Sequence, residues 1–145
     1  MREILFKGKT RKKEWVQGYL FDDGIKDSKR MFVGNLVITD YKGTASDNWE
    51  VGHYLCEVIP ETVGQYTGLA DKNGKKIFEG DICRVTRHCI LCYGSITFKK
   101  GSFWFDEFNA DSVLELSKLE INNFEIEVIG NIHDNPELMK EGVQG

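Results

Sequence analysis

Two pairs of side chains have the spacing that a zinc site uses. His53-x-x-Cys56 and Cys89-x-x-Cys92 each place two ligand types three residues apart, and Cys83 lies nearby in the sequence. However, His53 and Cys56 enter a strand-like segment, in which residues three apart point to opposite faces. Cys56 and Cys83 also occupy positions typical of small apolar core residues. We therefore expect buried, inert thiols, with no metal and no cofactor.

The pair Cys89 and Cys92 also has the Cys-x-x-Cys spacing of redox proteins. That chemistry normally accompanies a βαβ pattern, and the surrounding sequence has none. No apolar run approaches the roughly 18 residues of a membrane span, and charges interrupt the first residues of the chain, so we expect a cytoplasmic protein without a membrane segment. The cytoplasm keeps thiols reduced, and no disulfide framework is expected.

Motifs for phosphate, calcium and nucleophilic catalysis fail on residue identity. A phosphate-binding loop ending at Gly74 and Lys75 would need glycine in place of Leu69. A calcium loop starting at Asp71 would put Ile82 at the twelfth position, where a bidentate glutamate is required. The sequence contains no Gly-x-Ser-x-Gly motif. These failures predict a protein without enzyme activity.

The first thirteen residues carry a basic cluster suited to phosphate groups. Six cations stand there against one acid, although the whole chain has a net charge of −4; the cations are Arg2, Lys7, Lys9, Arg11, Lys12 and Lys13. Phe6 and Trp15 add aromatic surface on which bases can stack. A solvated β-hairpin whose lysines guard a sheet edge explains the same residues. Both interpretations stay open.

The elements that position these residues are expected to be strands. Val, Ile, Thr, Tyr, Phe and Trp account for 46 of the 145 residues, whereas Ala occurs only three times. Residues 111–119 fit a helix or a strand equally well. Segments typical of strands are residues 4–6, 14–21, 31–39, 54–59, 82–87, 95–98, 102–105 and 124–129.

Turn chemistry separates several of these segments. Asn73 and Gly74 form the dipeptide most typical of a type I′ hairpin turn, in which both residues take positive φ, and residues 77 and 78 are expected to pair back. Lys99, Lys100 and Gly101 predict a second hairpin. Asn135, followed by a proline at the first helical position, predicts a short helical turn near the end of the chain.

Four stretches of the chain carry longer motifs. They read REILFKGK with WVQGYL, PETVGQYTGL, DKNGKKIFEGDI and EVIGNIHDNPEL, at residues 2–9 with 15–20, 60–69, 71–82 and 127–138. Together they resemble the YopX family of prophage and phage proteins over nearly the whole chain. The resemblance implies an all-β fold and a temperate-phage or prophage origin. It implies no activity and no catalytic residues, and Cys89 and Cys92 lie outside its motifs.

We therefore predict an all-β protein with an N-terminal β lobe over residues 1–60. Residues 61–145 are expected to form a small SH3-like barrel, from about 61 to 132, and a terminal helical turn, with a single compact domain over both parts as the alternative. The expected function is that of a non-enzymatic phage or prophage accessory protein that binds a protein partner, through self-association or an edge strand. The alternative is a nucleic-acid-binding accessory protein that uses the basic cluster and Trp15.

Overall fold

The computed structural model describes residues 2–41, 49–110 and 112–141. This part of the chain contains eleven strands, two short α-helices and one 3-10 turn, which confirms the predicted all-β fold. None of its helices is long and apolar enough to span a membrane. The chain divides into an N-terminal unit, residues 4–63, and a C-terminal unit, residues 64–145 together with residues 1–3. The predicted domain division after residue 60 stays a prediction.

The N-terminal unit is built on antiparallel strands in the spatial order β4-β3-β2-β1. A 3-10 turn, Pro60–Thr62, follows the last strand and returns the chain to the first, since Ile59 N–H donates to Lys9 O at 2.8 Å. Lys9 N–H in turn donates to Thr62 Oγ1 at 2.8 Å. The strands are β1 (Phe6–Lys9), β2 (Trp15–Asp22), β3 (Met31–Tyr41) and β4 (Trp49–Val58).

One side of this sheet forms the core of the N-terminal unit. Val33 is fully buried and Val58 is nearly so. Gly8 lies on the same side, and a Cβ added to it would come within 2.9 Å of the Val58 side chain. Because side chains alternate along a strand, the neighbouring residues of each strand face the other way. The side chains of each strand are therefore divided between two sides of the sheet, of which the side that holds Val33 and Val58 is packed.

Five strands of the C-terminal unit form an antiparallel sheet in the order β10-β9-β8-β7-β11, and β5 pairs with β6. In the described part of the chain, β10 and β11 are the two edges of the five-stranded sheet and do not pair with each other. The SH3-like barrel stays a prediction. The elements are β5 (Gly64–Ala70), β6 (Lys76–Phe78), β7 (Asp81–Arg87), β8 (Ile90–Lys99), β9 (Ser102–Glu107), β10 (Val113–Glu115), α1 (Leu116–Ile121), β11 (Glu125–Asn131) and α2 (Glu137–Glu141).

The core of the C-terminal unit lies between this sheet and α1. Leu116 and Leu119 are three residues apart, so they share one face of the helix and pack together. The ambiguous segment 111–119 thus contains both elements, a short strand and the start of a helix. The buried cluster consists of Ile77, Cys83, Val85, Cys92, Ile96, Phe105, Leu116 and Leu119.

The type I′ turn predicted at Asn73 and Gly74 is wrong. Gly74 has a φ of +82°, but Asn73 is not among the residues with positive φ. The turn is closed by a hydrogen bond from Gly74 N–H to Asp71 O at 2.9 Å. Asp71 Oδ1 also accepts the N–H groups of Asn73 and Lys75, both at 2.9 Å. These side-chain hydrogen bonds favour a tight Asx-type turn over type I′ geometry. The turn still joins β5 to β6 as a hairpin, and the expected pairing of residue 78 is confirmed, since Phe78 pairs with Tyr66.

Two other loops have positive φ at both central residues. His88 and Cys89 have φ values of +47° and +68°, and Lys100 and Gly101 have +52° and +79°. Each pair joins two neighbouring strands directly, β7 to β8 and β8 to β9. This geometry matches the twist of the flanking strands, as in type I′ hairpins. The second loop confirms the hairpin predicted at residues 99–101.

Candidate interaction surface

Asp71 shows how the central motif is used in the structure. The side chain is only 7% exposed, and its Oδ2 accepts Val128 N–H at 3.0 Å, in addition to the two hydrogen bonds to Oδ1. Burial alone would raise the pKa of Asp71, but the N–H donors of Val128, Lys75 and Asn73 outweigh it and hold that pKa below its ordinary value. The charged carboxylate therefore organises the backbone around it.

The C-terminal motif is organised in the same way. Asn131 Oδ1 accepts the N–H groups of His133 at 3.0 Å and Asp134 at 2.8 Å. Asn135 Oδ1 accepts Asn131 N–H at 3.2 Å. A Cβ added to Gly130 would collide with the Asn135 carboxamide, so the close approach of this turn requires glycine. The polar residues of this motif hold a turn together.

Two of the four cysteine thiols are buried and two are exposed. Cys83 and Cys92 are buried in the C-terminal core, as expected for Cys83. Cys56 is exposed, so its predicted place in the core is wrong; it lies on β4, which has a neighbouring strand on only one side. Cys89 is exposed on the turn between β7 and β8. Burial raises the pKa of Cys92, whose sulfur accepts a hydrogen bond from Arg87 at 3.4 Å.

The candidate zinc ligands lie on three different elements. His53 and Cys56 both belong to β4, Cys89 lies in a turn and Cys92 in β8. Among the residues that the structure describes, no three His, Cys, Asp or Glu side chains are grouped to hold a metal ion.

A pocket opens beside the C-terminal core, between the β5–β6 turn and α1. Its volume is about 290 Å³, slightly below the usual range of about 300–1,000 Å³ for ligand sites. Apolar side chains such as Leu69, Leu116 and Phe124 form much of its lining. At its rim, Lys72 is paired with Glu127 at 3.5 Å. The pocket is therefore small, and the charged group of Lys72 at its rim is already paired with Glu127.

The basic residues singled out in the sequence belong to two different units. Arg2 belongs to the C-terminal unit, whereas the other five cations lie on the β1–β2 hairpin. Three of these are exposed on the connecting turn and two are half-buried on β1; in chain order they are Lys7, Lys9, Arg11, Lys12 and Lys13. Glu14 is the only acid between the start of β1 and the start of β2. The hairpin is therefore strongly basic.

Trp15 lies directly beneath two of these cations. It pairs with Lys9 across the two strands, and Lys7 lies two residues along on the same side. The ammonium nitrogens of Lys7 and Lys9 are 5.0 Å and 5.8 Å from the centre of the Trp15 ring. Each such cation–π contact at an exposed site contributes about 0.5–1 kcal/mol. The structure thus brings together three of the residues predicted to contact nucleic acid.

The side of the N-terminal sheet opposite Val33 and Val58 is here named the open face. Tyr19 on β2 and Leu55 on β4 both pair with Gly34 on β3, so the three residues form one row across the sheet. Tyr19 is 56% exposed and Leu55 is 41% exposed. The open face comprises Lys7, Lys9, Trp15, Gln17, Tyr19, Phe21, Phe32, Gly34, Leu55 and Glu57.

Arg30 neutralises the acid at one end of the open face. Its Nε and Nη2 atoms donate to the two carboxylate oxygens of Glu57 at 3.0 Å and 3.2 Å. The hydrogen bond from Arg30 lowers the pKa of Glu57. The same guanidinium lies 5.3 Å from the centre of the Phe32 ring. The open face is therefore aromatic and apolar in its middle, with lysines at one end and a neutralised ion pair at the other.

A family model described as YopX protein matches residues 6–140 of the chain. The chain belongs to the YopX family. Comparison with curated proteins found no match. Among solved structures, this YopX protein is similar to protein EF1440 from Enterococcus faecalis, with a TM-score of 0.64 and 27% sequence identity. The match covers 97% of this chain and 100% of that one, so the likeness extends over nearly the whole length of both chains.

Sequence reasoning missed the row of Tyr19, Gly34 and Leu55. The alternation of large side chains at residues 15, 19 and 21 was a signal for one aromatic side of β2. Leu55 could be added to that side only once the register of three strands was known. Of the three residues in this row, only Tyr19 lies within a YopX motif, so the motifs did not indicate Gly34 or Leu55.

Proposed function

We propose that this YopX protein is a non-enzymatic accessory protein that binds a protein partner through the open face. The observation that carries the proposal is the row of Tyr19, Gly34 and Leu55. Two large, exposed side chains flank a residue without a side chain, which leaves a shallow apolar strip. Exposed apolar strips of this kind are typical of protein contacts.

The edge strand β4 adds backbone groups to this surface. β4 is ten residues long, lies at the edge of its sheet and carries Leu55. Its sequence contains neither lysine nor proline, the two residue types that commonly protect edge strands. Pairing with a strand of a second copy, or of another protein, would satisfy its outer N–H and C=O groups.

A non-enzymatic role is supported by the use of the motif residues. Asp71, Asn131 and Asn135 all accept backbone hydrogen bonds within the fold. A phage or prophage origin and a cytoplasmic location belong to the same proposal, and the resemblance of the chain to a family of phage proteins supports the origin.

The protein-binding proposal is tested with Leu55→Lys and a matched control. Val113→Lys changes a residue of similar exposure, 45%, on the edge strand β10. We expect sedimentation or host-lysate capture to reveal a complex that survives in Val113→Lys and weakens at least tenfold in Leu55→Lys. A wild-type protein that stays monomeric and captures nothing that depends on Leu55 would contradict the proposal.

Nucleic-acid binding is the second candidate function, and a separate observation favours it. The β1–β2 hairpin gathers five cations in one unit, while the whole chain is acidic. Phosphate contacts release counterions, so binding must weaken steeply as salt rises. A gel shift with DNA and RNA at about 50 mM and 200 mM salt tests it. An absence of any shift at the lower concentration would exclude this function.

A further inference from the structure

We infer that the β1–β2 hairpin binds single-stranded nucleic acid, with one base stacked on Trp15 and the neighbouring phosphates held by Lys7 and Lys9. The inference rests on the second candidate function and specifies its ligand and its contacts. It uses the end of the open face that holds Lys7, Lys9 and Trp15, whereas the protein-binding proposal is carried by the row of Tyr19 and Leu55 on the same face.

The first support is the placement of cations around one ring. Lys7 and Lys9 lie on the same side of the hairpin as Trp15, and their ammonium groups lie 5.0 Å and 5.8 Å from its ring centre. A nucleotide stacked on this ring would carry its phosphates into reach of both lysines. Every base has a π-face, so this arrangement accepts a strand with little regard to sequence.

The second support is the relative strength of the competing contacts. An ammonium group binds a charged phosphate more strongly than it binds the face of an exposed ring. Lysine has a long, flexible stem, so Lys7 and Lys9 can turn toward phosphates without a shift of the strands. The Trp15 face that they cover in the free protein is then released to a base.

The third support is the exposed turn that continues the basic surface. Arg11, Lys12 and Lys13 are all exposed at the tip of the hairpin. They extend the positive charge beyond the lysines of β1, along the path of a bound backbone. A duplex keeps its bases stacked inside, whereas a single strand can offer a base to the ring. The arrangement therefore selects single strands.

The experiment measures binding of a labelled oligo-dT strand and of a duplex by fluorescence anisotropy. We expect wild type to prefer the single strand, and Trp15→Leu to lose about tenfold in affinity for it. Trp15→Phe, which keeps a ring, should retain most of the affinity. Lys100→Ala is the matched control, because Lys100 is also an exposed lysine in a hairpin turn, and it should leave binding unchanged.

A second measurement keeps Trp15 intact. The chain has three tryptophans, so the double variant Trp49→Phe, Trp104→Phe leaves Trp15 as the sole tryptophan, whose emission is excited selectively above the absorption of tyrosine. Oligo-dT should quench its fluorescence if a base stacks on the ring. Equal affinity for strand and duplex, without quenching, would overturn the inference while leaving nucleic-acid binding in place. Failure to bind either polymer at about 50 mM salt would overturn both.

Discussion

Asp71 and Val128 are joined by a hydrogen bond of 3.0 Å from the Val128 N–H to the Asp71 carboxylate. Lys72 N–H also donates to Ile126 O at 2.9 Å, so the turn before β6 occupies the outer edge of β11. An edge covered in this way is not open to pairing with another chain. The central motif and the C-terminal motif of the YopX sequence thus meet at one place in the fold.

Replacement of Asp71 by asparagine is expected to destabilise the protein by about 1–3 kcal/mol, because buried N–H groups lose a charged acceptor. The pKa of Asp71 is lowered in the folded state, so its contribution is present above the unfolded value near 3.8 and is lost as pH falls through the folded value. Urea unfolding between about pH 6 and pH 3 should therefore show a weaker acid dependence in Asp71→Asn than in wild type.

The control for that experiment is Glu125→Gln, which removes an exposed carboxylate from β11. Its stability should follow the wild-type acid dependence. An Asp71→Asn protein with unchanged stability and the same acid dependence would show that the carboxylate does not hold the turn.

Glycine is needed at position 74 because of the backbone conformation there, and not because a larger side chain would clash with its surroundings. Its φ is +82°, and a Cβ added there would meet nothing within 4 Å. Gly74→Val should therefore cost about 1–3 kcal/mol through backbone strain alone. Gly74→Asn should cost less, because asparagine tolerates positive φ better than other residues. If thermal melts gave both variants the wild-type unfolding midpoint, the turn would not depend on the positive φ of Gly74.

At Gly130, by contrast, we expect a larger side chain to destabilise the protein through a steric clash. A Cβ at this position would collide with the Asn135 carboxamide, which accepts Asn131 N–H. Gly130→Ala should displace Asn135 and lower stability by about 1–3 kcal/mol. The double variant Gly130→Ala, Asn135→Gly should recover part of the loss, since the clash is removed. Additive losses in chemical denaturation would contradict this explanation.

The four cysteines are expected to react in two groups with a thiol reagent such as DTNB. Cys56 and Cys89 are exposed and should react in the native protein. Cys83 and Cys92 are buried, and burial raises the pKa of Cys92, so both should react only after unfolding. Labelling followed by mass spectrometry checks the assignment. Rapid native labelling of Cys83 or Cys92 would place the core elsewhere.

Local structure was largely predictable from the sequence. Alternating residues in β2 and β7 and the turn residues around Lys100 act over a few positions, and the structure confirms those elements. The turn at Gly74 was misassigned because its geometry depends on the Asp71 side chain and on Val128, which lies far away in the chain. Cys56 was misplaced because burial on an edge strand depends on what covers it.

The sequence by itself determined the all-β fold, the YopX family and the basic character of the hairpin, since composition, motifs and charge are properties of the chain alone. Tertiary structure alone decided that Tyr19 and Leu55 flank Gly34, and that Lys7 and Lys9 lie over Trp15. Strand register sets these contacts, and a shift of one residue would turn each side chain to the other face of the sheet. The row of Tyr19, Gly34 and Leu55 depends on pairing between segments far apart in the chain, which no short stretch of sequence encodes. Lys9 and Trp15 meet across one short hairpin, where the geometry of the turn sets the register.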